Sequence, residues 1–172
     1  MGTSRNIRTA GLFDCGRLAD FRIRFVQDRF QGYLPPDTLI ELDRETIKSE
    51  LQQWMREGCT EDYIDLDGQV TGLIVYKADA EKAEGWIELV EILTPADAEH
   101  KFALIDQAVE QMRRAGCRVV HLWLLKDNFR ARFLFQHYGF HQDEGMRTIN
   151  RKGYNLLQVR YSLYPENGQQ SV

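Results

Sequence analysis

Two carboxylates stand where carboxylates are costly. Glu88 and Glu91 interrupt the apolar run from Ile87 to Leu93, and a charge on a sheet strand loses hydration unless something compensates it. Partial burial raises a carboxylate's pKa towards neutrality, which suits it to take a proton from a substrate. Three residues apart, the two acids fall on opposite faces of a regular strand. Either one of them faces a cleft, or both are solvated at a splayed edge. Just downstream, the loop Ala96–Lys101 leads into an amphipathic helix. The free N–H groups and positive dipole end of such a helix start can receive a phosphate. The loop contains Asp97, Glu99, His100 and Lys101 and no glycine. Its acids oppose an anion, and Lys101 with His100 offsets part of that charge.

Other reactive side chains carry weaker patterns. His137 and His141 have the spacing of a helical metal pair, but Gly139-Phe140 breaks the helix between them, so no metal site is expected. His121 lies in the run VVHLWLL and is expected to be a hydrogen-bonded core histidine rather than a base. No serine has a G-x-S-x-G setting and no cysteine a recognisable partner, so covalent hydrolase chemistry has no support. Cys15, Cys59 and Cys117 are an odd set without metal spacing, as reduced thiols in a cytoplasmic protein would be.

Elements that position these residues follow from periodicity and punctuation. Asn6–Ala10 reads as a short strand. Leu18, Phe21, Phe25, Val26 and Phe30 recur at helical spacing behind Asp14. Asp43 caps a second helix with Ile47, Leu51, Trp54 and Met55 on one face, and 37–43 is irregular or a short helical turn before it. Asp67-Gly68 joins the strands Tyr63–Leu66 and Val70–Tyr76 as a hairpin turn. Trp86–Leu93 is the next strand. Asp97 heads a helix whose apolar face is Phe102, Ile105, Val109 and Met112, ended at Gly116. Val119–Leu125 reads as a strand buried on both faces. Asn128–Tyr138 is a helix stopped by Gly139, and Met146–Ile149 and Leu156–Leu163 are late strands around Lys152-Gly153. The order β-α-α-β-β-β-α-β-α-β-β makes an α+β (or α/β) domain with a central mixed sheet flanked by helices. A single domain is expected over 1–165, with 166–172 a polar tail.

Composition narrows the partners. A net charge of −4 and a pI near 5.6 give no electrostatic reason to bind nucleic acid or an anionic membrane. No apolar run is long enough for a membrane span, and the N-terminal segment lacks the apolar core of a signal peptide.

Gly116-Cys117, the strand Val119–Leu125, Asn128-Phe129-Arg130-Ala131 and Gly139-Phe140 together resemble the N-x-x-A, aromatic and G-F segment of the GNAT superfamily (Gcn5-related N-acetyltransferases). Leu93-Thr94-Pro95 resembles the V-x-P that ends that family's cofactor-facing strand, and the likeness in element order covers nearly the whole chain. It implies the acyl-CoA N-acyltransferase fold, acetyl-CoA as cofactor, and transfer to a primary amine of a small molecule or peptide by direct attack. Backbone groups of Ile92, Leu93 and Thr94 would then hold pantetheine, and His100, Lys101, Phe102 and Ala103 the pyrophosphate. Asn128 would sit by the thiol end and Arg130 near a CoA phosphate. Glu88 resembles the glutamate that deprotonates the amine, directly or through water. Phe25, Phe30, Tyr33 and Leu34 could wall the acceptor site or belong to the core.

The loop and the acid depart from the family pattern. The loop's G-x-G/A positions fall on Glu99, His100 and Lys101. Phe135 replaces the tyrosine that often protonates the leaving thiolate, and Tyr138, at another angle, is expected to pack beside Gly139. The alternative reading is therefore a GNAT-fold binding module that transfers nothing. Pairing of two copies through Leu156–Leu163 stays open.

Overall fold

The computed structural model describes residues 6–29, 43–93, 102–151 and 153–165. Its elements are β1 (Ile7–Thr9), a 3-10 turn (Leu12–Asp14), α1 (Cys15–Arg29), α2 (Arg44–Arg56), β2 (Thr60–Leu66), β3 (Gln69–Asp79), β4 (Glu84–Ile92), α3 (Ala103–Arg114), β5 (Val119–Leu125), α4 (Phe129–Tyr138), β6 (His141–Arg151) and β7 (Tyr154–Leu163). This is the order expected from the sequence. Among the described residues the strands are hydrogen-bonded as β1-β2-β3-β4-β5-β7-β6, a mixed seven-stranded sheet. Expectations about 37–42, the helix start at Asp97, Lys152 and the tail 166–172 lie outside the described residues.

Two compact units emerge: the chain up to Tyr76 with Leu89–Ala108, and Lys77–Glu88 with the chain from Val109 onward. In the first, β2 pairs antiparallel with β1 (Arg8↔Tyr63) and with β3 (Tyr63↔Leu73). The turn between β2 and β3 has positive φ at both central residues, 51° at Asp67 and 84° at Gly68. Those values match the twist of a two-residue hairpin, and glycine accepts the second without strain. Asp65 accepts the Gly68 N–H at 2.8 Å and closes it. On one sheet face, α1 and α2 bury Leu18, Phe21, Phe25 and Leu51 against Tyr63, Leu73 and Val75. Asp43 caps α2 as expected, accepting the Thr46 N–H at 2.9 Å.

β2 starts three residues earlier than its sequence suggests, at Thr60 rather than Tyr63. Acids are depleted in strands, so Glu61-Asp62 reads as a loop, yet both are 1% exposed. Asp62 is tolerated there because Tyr76 Oη (2.8 Å), Gln107 Nε2 (3.0 Å) and Thr9 Oγ1 (2.7 Å) all donate to it.

In the second unit, β4 and β5 pair in parallel from Glu84↔Val119 to Ile87↔Leu122, and β5 pairs antiparallel with β7 (His121↔Ser162, Trp123↔Arg160). β6 and β7 form a hairpin much longer than the sequence suggests, with a register shift between Gln142 and Met146. Both helical segments of this unit lie on one face. A Cβ on Gly85 would meet Met112 Sδ of α3 at 2.5 Å, and Arg132 of α4 donates to Tyr161 Oη at 3.0 Å. Towards them point Val120, Leu122 and Leu124; the other face carries His121 and Trp123. The expectation that β5 is buried on both faces is corrected here, since Trp123 stays partly exposed under two arginines. Gly139 ends α4 with φ 121°, and Phe140 packs edge-on to Phe135 at 5.4 Å.

Phe140 is fully buried, so Phe140→Ala leaves a cavity where α4 meets β6. The expected loss is about 3–5 kcal/mol, read as a lower urea midpoint at unchanged slope; a loss under about 1 kcal/mol would show that this junction is not core.

Candidate functional site

Glu88 and Glu91 have different surroundings. Glu91 is 3% exposed, and Arg22 of α1 donates to it at 3.3 Å while also donating to Glu50 of α2 at 2.8 Å. Burial pushes the Glu91 carboxyl up to about 7 against the pull of Arg22. Glu61 shares that face of the first unit, and burial lifts it to about 7 too, with only the distant charge of Arg22 opposing. Neither oxygen of Glu61, nor Oε2 of Glu91, has a hydrogen-bond partner among the described residues. Glu88 is exposed, so the partial burial expected of it is not found. A side chain turned into solvent keeps its hydration and needs no partner, and its charge reaches Arg147 of β6.

Around Glu88 the second unit presents a face of aromatic and charged groups. Trp86 stacks on His121 with ring centroids 4.8 Å apart. Arg147 lies 4.4 Å and Arg160 5.9 Å from the centroid of Trp123. His121 Nδ1 is 2.7 Å from Ser162 Oγ, which in turn donates to Asp143 Oδ2. Arg160 Nε donates to both Asp143 oxygens at 2.9 and 2.8 Å, and Gly145 N–H to Oδ1 at 2.6 Å. Burial alone would raise Asp143, but these donors outweigh it and hold the acid below the usual range. Burial first, then the Arg160 charge, hold His121 below its ordinary value despite Glu84 and Asp143. The expectation of a hydrogen-bonded buried histidine is met, at 7% exposure. Its partner Ser162 is 41 residues away in sequence, which no local pattern could reveal.

The residues proposed to hold a cofactor divide into groups. Ile92 and Leu93 are half-buried, and Leu93 N–H donates to Thr71 O at 2.9 Å. β4 runs on from Ile87, its last residue paired with β5 among the described residues, to Ile92. Phe102 precedes α3 and its carbonyl accepts the Asp106 N–H at 2.7 Å; Ala103, the first residue of α3, is 3% exposed. Asn128 is the N-cap of α4, its Oδ1 accepting the Ala131 N–H at 3.1 Å. Arg130 projects from the first turn of that helix and is exposed. Thr94, His100 and Lys101 lie outside the described residues, as do Phe30, Tyr33 and Leu34.

Phe135 is 2% exposed in the core, and the ring of Tyr138 sits 5.8 Å from that of Phe140 beside Gly139, as expected. His137 lies in the last turn of α4 while His141 opens β6. Among the described residues no cluster of three or more His, Cys, Asp or Glu side chains could hold a metal ion. No described helix is long and apolar enough to cross a membrane.

A family model for the acetyltransferase (GNAT) family matches residues 24–140. The fold is similar to that of ribosomal-protein-alanine N-acetyltransferase from Brucella melitensis, with TM-score 0.68 and 18% identity over 92% of this chain and 98% of that one. It is also similar to PaiA N-acetyltransferase from Thermoplasma acidophilum in complex with coenzyme A, with TM-score 0.69 and 15% identity over 91% and 98%. A third similar structure is yncA from Salmonella typhimurium with its cofactor acetyl-CoA, at TM-score 0.66 and 15% identity over 97% of both chains. No curated protein matches the chain in sequence.

Glu61 makes a stability prediction. Its carboxyl is near 4.5 when unfolded and near 7 when folded, so folding favours the protonated form. That contribution is fully present below pH 4.5 and is lost as pH rises through 7, at a cost of about 3 kcal/mol. Glu61→Gln should remove this slope and raise the urea midpoint at pH 8 above wild type. Parallel pH profiles for the two proteins would show that Glu61 is not buried as described.

Proposed function

Because this chain belongs to the GNAT acetyltransferase family, we propose that it transfers an acetyl group from acetyl-CoA to a primary amine of a small molecule or peptide by direct attack. The observation that carries the reading is β4. Past Ile87, its last residue paired with β5 among the described residues, the strand continues to Ile92, and on that side, away from its neighbour β3, extended backbone offers N–H and C=O groups to an amide-bearing ligand. Those groups fit a pantetheine chain, whose two amides need such partners. Backbone at Ile92, Leu93 and Thr94 would hold it, and the start of α3 at Phe102 and Ala103, with His100 and Lys101 before it, would take the phosphates. Asn128, by capping α4, presents the start of that helix to the thiol end, and Arg130 projects from it towards a CoA phosphate. When bound, acetyl-CoA supplies an activated acyl thioester.

The protein's own part is positioning. Glu88, which is exposed, draws the acceptor's ammonium to the β4 edge and organises the water relay through which its proton leaves. Phe135 has no proton to give, so the proton that the leaving thiolate takes comes from the attacking nitrogen. An effective molarity gained by holding amine and thioester together accounts for most of the rate.

A second reading rests on Phe135 being a core residue at the position of the family's usual acid: a GNAT-fold module that binds a partner and transfers nothing. Calorimetric titration with acetyl-CoA separates the two. Saturable heat at micromolar to millimolar cofactor is expected; no heat and no thermal shift would remove the enzyme reading. In the active protein, Glu88→Gln should lower kcat at least about tenfold while CoA affinity stays within twofold, and unchanged turnover would take Glu88 out of the mechanism.

A further inference from the structure

We propose that His121, held by Ser162 and Asp143, is the catalytic base that accepts the proton of the acceptor amine at Nε2; this rests on the acyl-transfer reading above. The argument begins with proton counting. Asp143 is ionised and can only accept, and it receives Arg160 Nε, the Gly145 N–H and the Ser162 hydroxyl. Serine has a single hydroxyl proton, and that proton is committed to Asp143. At 2.7 Å the His121 Nδ1 must therefore carry a hydrogen and donate it to Ser162 Oγ. A neutral imidazole with Nδ1–H has its lone pair on Nε2. The chain Asp143–Ser162–His121 thus leaves one basic atom, and Nε2 meets no partner among the described residues.

Position supports the role. Both helical segments of this unit pack on the opposite face, against Gly85 and Tyr161. The face of His121 is bordered by the part-exposed Trp86 and Trp123 and by the exposed Glu88 and Arg147. His121 pairs across to Trp86 one step before the β4–β5 ladder ends at Ile87↔Leu122. That places it on the face that Glu88 shares, two residues beyond Trp86 on β4. Charges facing it come from Glu84 of β4, Arg160 of β7 and Asp143 of β6, and His141 of β6 is paired across from Ser162. Burial and Arg160 keep the imidazole neutral at neutral pH, the form a base requires.

The step balances as follows. Glu88 draws in R–NH3+, and one N–H bond of the ammonium breaks as the proton moves to His121 Nε2, leaving imidazolium whose Nδ1–H still donates to Ser162. The freed nitrogen lone pair forms the C–N bond to the thioester carbonyl carbon. The C–S bond breaks with its electron pair going to sulfur, and the thiolate takes the second nitrogen-bound proton. His121 then releases its proton to solvent. Ser162 and Asp143 are positioning residues: they set the tautomer and stabilise the charged ring.

The test has a structural and a kinetic arm. Long-range proton–nitrogen correlation spectra of the whole chain, with the His121 ring assigned through its backbone, should show neutral Nδ1–H imidazole at pH 7 in the wild type. An Nε2–H or charged ring would overturn the proposal. For kinetics, thiol release from acetyl-CoA is followed with an alkyl monoamine, a polyamine and a short peptide with a free N-terminus as acceptors. His121→Asn should lower kcat with the best of these about 100-fold or more and abolish the acid limb of the pH–rate profile, with calorimetric CoA affinity unchanged. Ser162→Ala should move that limb to lower pH, and Ser162→Thr, which restores the hydroxyl, should return it. Wild-type turnover with an equally active, equally pH-dependent His121→Asn overturns this inference alone. A wild type inert towards all the amines overturns the acyl-transfer reading and this one with it.

Discussion

Strand β5 must satisfy its backbone on both sides, and the two registers that do so decide which side chains meet. Parallel pairing with β4 sets Trp86 beside His121, and antiparallel pairing with β7 sets Ser162 and Arg160 beside His121 and Trp123. A slip of one residue in either ladder would send every one of these side chains to the opposite face. Because α3 and α4 cover the other face with Val120, Leu122 and Leu124 pointing into them, such a slip would also bury His121 and Trp123 in an apolar layer. Apolar packing on one side of β5 therefore holds the polar arrangement on the other.

The same economy governs the acids taken into strands. Asp62 has three donors from three elements, and Asp65 is held by Arg17 at 3.0 Å and by the turn amide of Gly68. Glu91 shares Arg22 with Glu50. Glu61 has no donor at all among the described residues and is kept near neutrality by burial. A folded protein tolerates such groups by pairing them or by letting them hold their protons. Both solutions occur within one helix-covered face of the first unit. Asp143 is the counterpart in the second unit, ionised because its donors outweigh its burial.

Family membership and chemistry rest on different parts of the chain. The residues that identify the family are mainly structural: Asn128 caps α4, Gly139 stops it, and Phe140 packs beneath it. They persist wherever the helix must begin and end at those points. Residues able to move a proton are elsewhere, on β4, β5, β6 and β7, and depend on long-range register.

Sequence by itself determined what local physics controls. The element order, the Asp43 and Asn128 caps, the Asp67-Gly68 turn and the glycine stops at Gly116 and Gly139 all depend on neighbours within a few residues. Tertiary structure alone decided which acids stay in water and which do not. It exposed Glu88, buried Glu91 against Arg22 from 69 residues away, and drew Glu61 and Asp62 into a strand that their type argues against. It also ordered His121, Ser162 and Asp143 into one chain of hydrogen bonds. Nothing near His121 in sequence distinguishes a core imidazole from a basic one, because that difference lies in which partner already owns the serine proton.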